Sequence, residues 1–327
     1  ADRHQMEAML LNSRKPIVFV TETFQGCVDA IEMAETVAGG AEELQQRPFA
    51  VCYVNVTTPL RHNEEALKKV LFLSGKGLPF VYVPAVRRGM TSPMTIAGSV
   101  ALNNAGQLAG LVLSQLKREG TPIIVCGGGA VQLIDMKTLG SAYAAPDGRL
   151  FEAALPDYYG LPRWGLAGCS DSKAVDQQAA IEAALTLMVD VLNGCNLIHD
   201  LGYLEGGLNG SLEMLVICDE VIGWIKRLIQ GIEISEETLG LGLIEDVGPD
   251  GQFMDTEHTY RHFREDWYPE LLDRRSYDNW AAAGATTLQE RARQKVNKIL
   301  ASHEAPRLAE AIEEGVKAVT VRAAGAL

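Results

Sequence analysis

Residues 49–56 read FAVCYVNV, and every residue except Asn55 is apolar. A strand with one wet face alternates apolar and polar side chains. A near-continuous apolar run therefore belongs to a strand buried on both faces, as in a parallel sheet wrapped by helices. The pattern recurs in PIVFVT (16–21), PFVYVPAV (79–86), PIIVCGGG (122–129), PRWGLAG (162–168) and NLIHD (196–200). Between these runs lie CVDAIEMAETVAG, NEEALKKVLFLSGKG, TIAGSVALNNAGQLAGLVLSQLKREG and DQQAAIEAALTLMVDVLNG. Each is amphipathic, long enough for a helix and closes near a glycine. The chain thus alternates β and α.

Such a rhythm fits a doubly wound sheet or a closed barrel. No GxGxxG opens a helix after a strand, so the dinucleotide signature of the doubly wound class is missing. Polar residues also follow almost every strand: Glu22 and Thr23, Asn55 and Thr57, Arg87 and Arg88, Gly127 to Gly129, Ser170 and Asp171, and His199 and Asp200. In a barrel these ends converge on one mouth. The expected fold is α/β, a (β/α)8 TIM barrel with a C-terminal helical extension. Six strands are visible where eight are needed. Residues 2–13 read as a helix entering the first visible strand, so the two absent βα units are expected upstream of Ala1.

After residue 205 the texture becomes helical. Ser211 and Ser235 stand at N-cap positions of two helices over 211–232 and 235–248, with acidic residues close behind. From Asp278 onward the tail is mostly helical. The expected organisation is one domain over 1–327, with barrel strands and helices in 1–205 and C-terminal helices and a mouth cap in 206–327.

The composition excludes several classes. Of the 327 residues 47% are hydrophobic and 22% charged, enough to bury a full core. A net charge of -13 argues against a nucleic-acid groove, which needs a basic face. No apolar stretch reaches the roughly 18 to 20 residues of a membrane span, and residues 1–20 lack a signal pattern, so no membrane association and a cytoplasmic location are expected. The six cysteines are scattered, without a CxxC pair, and read as reduced buried thiols.

Four constellations carry chemistry. In the first, His199, Asp200, Tyr203 and Glu205 end the last strand and line the mouth, or else His199 and Asp200 only satisfy loop amides. In the second, His258 and His262, four residues apart, share a helix face near Glu257, Arg261 and Arg264. The order is E-H-x-x-x-H, whereas a zincin needs His-Glu-x-x-His, so no catalytic metal is expected; a segment capping the mouth is the preferred reading. In the third, Asp171, Lys173 and Gln177 follow a strand end while Asp176 caps a helix. The fourth, CGGGA at 126–130, is a weak anion-binding signal.

Four ordered blocks, GLPFVYVPAVRRGMTSPMTIAGSVALNNAGQLAGLVLSQLKREGTPIIVCGG, SDSKAVDQQAAIEAALT, NLIHDLGYLEGGLNGSLEMLVICDEVI and EDVGPDGQFMDTEHTYRHFREDWYPELLDR, closely resemble the trimethylamine methyltransferase superfamily. The resemblance covers nearly the whole chain. It implies a barrel enzyme that passes a methyl group from a methylated amine to the Co(I) of a corrinoid (cobalamin) held by a cognate partner protein, with no permanently bound cofactor. A homo-oligomer is expected. The trimethylamine enzymes proper carry pyrrolysine, whereas every residue here is standard; members without pyrrolysine are associated with quaternary amines such as glycine betaine. Chemistry gives the same division, because a quaternary ammonium leaves as a neutral tertiary amine without prior activation.

The residues expected to carry the reaction are His199, Glu205 and Asp171 as catalytic groups. Asn55, Arg88, Tyr203, His258, His262 and Arg264 are expected to hold substrate, with Tyr203 and Glu205 toward the cation and a His or Arg toward the carboxylate. The alternatives are a trimethylamine methyltransferase without pyrrolysine, a metal-dependent barrel lyase or hydrolase using His199, His258 and His262, and a non-catalytic betaine-binding or corrinoid-docking subunit.

Overall fold

The computed structural model describes residues 1–127, 131–145 and 149–325. Gly128, Gly129 and Ala130 of the glycine run lie outside the described residues. The elements are, in chain order, α1 (Asp2–Asn12), β1 (Ile17–Phe19), α2 (Phe24–Ala38), α3 (Ala41–Gln46), β2 (Ala50–Asn55), α4 (Glu64–Lys76), β3 (Phe80–Val83), β4 (Val86–Arg88), α5 (Ile96–Lys117), β5 (Ile123–Cys126), β6 (Val131–Ile134), β7 (Ser141–Ala142), α6 (Arg149–Tyr159), β8 (Arg163–Leu166), α7 (Gln177–Leu192), β9 (Leu197–His199), β10 (Tyr203–Leu204), β11 (Asn209–Gly210) and α8 (Leu212–Ile229). The C-terminal part adds α9 (Glu236–Leu239), α10 (Leu241–Val247), α11 (Glu257–His262), α12 (Tyr277–Ala282), α13 (Leu288–Ser302) and α14 (Glu310–Gly325).

All six expected strands form one parallel sheet in the order β1-β2-β3-β5-β8-β9. The sheet curls into an open, TIM-barrel-like half-barrel with helices outside. Its curvature is visible in one contact: Tyr53 on β2 and Trp164 on β8 have two strands, β3 and β5, between them, yet their ring centroids lie 5.8 Å from each other. β1 and β9 are its edges, and Val18, Val20 and Leu197 there are exposed.

The strand period of two sorts side chains between faces. Phe19, Cys52, Val54, Phe80, Tyr82, Ile123 and Val125 point outward and share a core with Met6, Ile31, Val70 and Val316 from the helices. Val81, Val83, Cys126 and Trp164 fill the concave face, with Val51, Tyr53 and Ile124 packed against them. A third core joins α7 and α8 to Ala292 and Val296 of α13. The helix starts follow the sequence: Asp176, Ser211 and Ser235 accept hydrogen bonds from the amides of Ala179, Met214 and Thr238.

Three local expectations need correction. The run 79–86 is not one strand, because Pro84 lacks the donor a ladder needs. The chain leaves the main sheet after Val83 and re-forms as β4, in a small sheet β4-β6-β7 that no run announced. The single helix expected over 235–248 breaks at Gly240, whose left-handed φ of 57° ends α9 and starts α10. Finally, α5 is long and apolar enough, by length and composition alone, to cross a membrane, with a mean hydropathy of 1.3 over 18 of its 22 residues. Here it packs on the sheet and on α4 and α6. The face it turns inward is polar or small, with Ser99, Asn103, Gln107, Gly110 and Ser114 buried. Asn103 donates to the Pro84 carbonyl at 2.8 Å, satisfying backbone at the strand break.

Gly110 is where α5 touches the sheet most closely. A Cβ there would lie 2.2 Å from Cε1 of Tyr82, a wholly buried ring whose hydroxyl is fixed to His62 Nδ1 at 2.7 Å. Gly110→Ala is therefore expected to destabilise the protein by about 1–3 kcal/mol despite alanine's better helix propensity. A lowered urea midpoint at unchanged slope checks it.

Candidate functional site

The concave face and the strand ends enclose a cavity of about 710 Å³. Its wall is built from many strands: Tyr53 and Asn55 from β2, Val83 from β3, Cys126 from β5, Trp164 and Leu166 from β8, and His199 from β9. The small sheet and its loops add Arg87, Thr91, Gln132 and Tyr143, and Asp200 and Tyr203 follow β9.

Three rings form the centre. Trp164 and His199 have centroids 4.7 Å apart, Tyr53 and His199 5.6 Å. His199 Nδ1 lies 2.6 Å from the Gly165 carbonyl oxygen, which fixes the donor on Nδ1 and leaves Nε2 as an acceptor, 3.7 Å from Asp200 Oδ1. Burial lowers the His199 pKa to about 4, so the imidazole is neutral at pH 7. Burial also raises Asp200 to about 6 and pushes the Tyr53 phenol upward. Asp200 has a left-handed φ of 70°, a conformation Asp tolerates better than most residues, and its Oδ2 accepts a hydrogen bond from the Tyr143 hydroxyl.

Tyr143 reaches the cavity because its loop is clamped from both sides. Asp171 accepts from the amides of Tyr143 and Ala144 at 3.1 and 3.2 Å. Arg149 donates to the carbonyls of Tyr143 and Ala145, each at 3.3 Å. Arg149 is 1% exposed and pairs with Asp190 of α7 at 3.5 Å; burial, outweighing Arg149, raises the Asp190 carboxyl to about 7.

Of the residues expected from sequence, Asn55, His199 and Tyr203 line the cavity together. Arg88 is 5% exposed and outside the lining, while its strand neighbour Arg87 is exposed and in it, as alternation on β4 requires. Asp171 stands behind Tyr143. Glu205, with a φ of 52°, accepts from Asn209 Nδ2 at 2.6 Å and serves the tight turn after β10. His258 and His262 cluster with Glu237, and neither they nor Arg264 belong to the lining. His199 is therefore not joined with them in one metal-binding group. Sequence reading passed over Tyr53, Trp164, Tyr143 and Gln132, and named Arg87 as a strand-end residue but chose Arg88 for the site. Tyr53 and Trp164 were legible as inward strand positions, in register with Asn55 and Leu166. Tyr143 and Gln132 depend on a small sheet that had no pattern.

A helix-wrapped parallel half-barrel with a polar and aromatic cavity at its strand ends places the protein in the class of TIM-barrel-like α/β proteins. The chain belongs to the trimethylamine methyltransferase family: the family model described as "Trimethylamine methyltransferase (MTTB)" matches residues 2–325. It is 32% identical over 97% of its length to "Trimethylamine methyltransferase MttB" of Desulfitobacterium hafniense (strain DSM 10664 / DCB-2). It is 33% identical over 94% of its length to "Glycine betaine methyltransferase" of Desulfitobacterium hafniense (strain Y51), and 32% identical over 81% to "Trimethylamine methyltransferase MttB" of Methanosarcina thermophila. The chain spans 64% of the length of each Desulfitobacterium relative and 55% of the third.

Proposed function

We propose that this chain binds a quaternary amine, glycine betaine or a related betaine, and positions one methyl group for transfer to the Co(I) of a corrinoid carried by a separate protein. The observation that carries the reading is the ring cluster of Tyr53, Trp164 and His199 in the cavity. A trimethylammonium head has no proton to donate, so it is held by aromatic faces and by desolvation. A neutral His199 adds a ring without adding a repelling charge. Asp200 offers the negative end, and Arg87 is the cation placed to meet a betaine carboxylate.

The corrinoid, when its carrier docks, supplies the nucleophile. The cavity fits an acceptor presented from outside, because part of its lining, Arg87 and Tyr203 included, is exposed. The chain's own part is orientation and exclusion of water: the rings hold nitrogen, and the departing amine takes the C–N electron pair and leaves neutral. No general acid is then needed, which agrees with a site where the one histidine among the described lining residues, His199, is uncharged.

In this reading the cavity works within a closed (β/α)8 barrel, two further strands bridging the edges of β1 and β9. The half-barrel and the C-terminal helices act as one methyltransferase domain, since α8 packs on α7 and α13 on α8. The glycine betaine relative supports the substrate class, and the standard residue set supports it over trimethylamine. Calorimetry with glycine betaine, trimethylamine and dimethylglycine tests it directly. Binding is expected for glycine betaine at least tenfold tighter than for trimethylamine; the reverse order would return the protein to the trimethylamine reading.

A further inference from the structure

The segment carrying α9, α10 and α11 presents a physical problem. None of these three helices has a buried residue. Short helices that bury no apolar face have little to hold them in place. What joins α9 to α11 is polar: Glu237 on α9 meets His258 and His262 on α11, and one ligand atom from each of the three lies within 4.8 Å of the others.

We propose that Glu237, His258 and His262 bind a divalent transition-metal ion, zinc by the chemistry of the donors, which staples α9 to α11. Two imidazoles and a carboxylate are a zinc donor set, and spacing of four on a helix puts both rings on one side. His262 Nε2 stands 3.5 Å from Glu237 Oε1. Four ligands at about 2.1 Å in a tetrahedron lie about 3.4 Å apart, so this pair already has the needed separation. His258 Nε2 points to the same residue, 3.1 Å from the Glu237 carbonyl oxygen, which can serve as the fourth ligand or yield to water. Rotation of the partly exposed side chains closes the remaining distance.

The far side of the site is also prepared. His262 Nδ1 lies 2.8 Å from Glu265 Oε2, so a carboxylate receives the proton of the nitrogen that faces away from the ion, the orientation that leaves Nε2 free to ligate. Arg261, now 3.5 Å from Glu237 Oε1, keeps its other partner Glu257 at 3.2 Å when Glu237 turns to the ion. This site is structural: it stands apart from the ring-lined cavity and is independent of the methyl-transfer reading.

Protein stripped with chelator and dialysed is titrated with zinc chloride by calorimetry, and proteolysis of 232–265 is timed with and without zinc. One equivalent is expected to bind, and cleavage in the segment to slow at least tenfold. Glu237→Gln, which keeps shape and loses charge, is expected to weaken binding at least tenfold, and the His258→Ala, His262→Ala double variant to abolish the equivalent; His303→Ala keeps it. Absence of a zinc equivalent in the unmodified protein, or its retention at full affinity in the double variant, overturns the site. Zinc uptake without protection of the segment overturns the staple.

Discussion

Replacing Trp164 with leucine is expected to raise KM for glycine betaine by about 30-fold while leaving kcat within a few-fold. A desolvated cation–aromatic contact is worth about 2 kcal/mol or more, and 1.4 kcal/mol is a factor of ten. The direction of the KM–kcat split follows from the chemistry. As the methyl group leaves, the positive charge on nitrogen fades, so the rings stabilise the bound substrate more than the transition state. Removing a ring therefore costs binding first. Trp164 is 4% exposed and touches Tyr53 and His199, so leucine also loosens the packing. Trp164→Phe, which restores an aromatic face, separates the two effects: recovery of most of the affinity points to the ring. Steady-state kinetics on both variants, with circular dichroism as a check on folding, reads the result. A normal KM in Trp164→Leu contradicts the placement of the cation.

The second large effect concerns the frame behind the cavity. Arg149→Met removes the cation paired with Asp190 inside the protein and the two donors that hold the Tyr143 loop. Breaking a buried pair from one side costs about 3–5 kcal/mol, because the remaining charge has no compensation. Its pH dependence is specific. The folded Asp190 carboxyl already titrates at about 7 because burial outweighs Arg149, and without Arg149 it moves higher. A carboxyl with a raised folded pKa binds more protons in the folded state. Its destabilising contribution is absent below the unfolded carboxylate pKa, near 4, and grows as pH rises through 7. The penalty of Arg149→Met is thus expected to be larger at pH 8 than at pH 5 in urea unfolding. Asp190→Asn added to Arg149→Met is expected to recover part of the stability and flatten the pH response. A penalty independent of pH contradicts the assignment to Asp190.

How much of this was legible in the sequence differs between elements. The main sheet was legible because β3 is buried at every position and the second faces of β2 and β5, half-buried against the concave side, stay apolar up to Asn55, and such strands cannot hide their apolar character. Asn55, His199 and Tyr203 were found because they sit just where those runs stop. The same logic failed at Arg88, since a strand-end rule gives a position and not a face; only the register of β4 shows that Arg87 enters the cavity. Tyr53 and Trp164 were passed over as core, and they are core: each ring packs into the concave face and still presents a surface to the cavity. Tyr143 was beyond reach, because the clamp formed by Asp171 and Arg149 joins residues with no sequence pattern between them. In α5, legible as an amphipathic helix, the buried face is the polar and small one, where Asn103 serves the backbone at Pro84. Similarity to the trimethylamine methyltransferase family was carried by long ordered blocks, and the family match over residues 2–325 agrees with it.

The most direct test of methyl transfer is spectroscopic. A cognate corrinoid protein is reduced to Co(I), the protein is added with glycine betaine, and the absorbance of methyl-Co(III) is followed, with trimethylamine and dimethylglycine in parallel. The expected result is conversion that depends on both the protein and glycine betaine, with one dimethylglycine released per methyl group transferred and no conversion from trimethylamine. Conversion from trimethylamine alone, or none from any amine while the corrinoid protein is demonstrably active, would contradict the account.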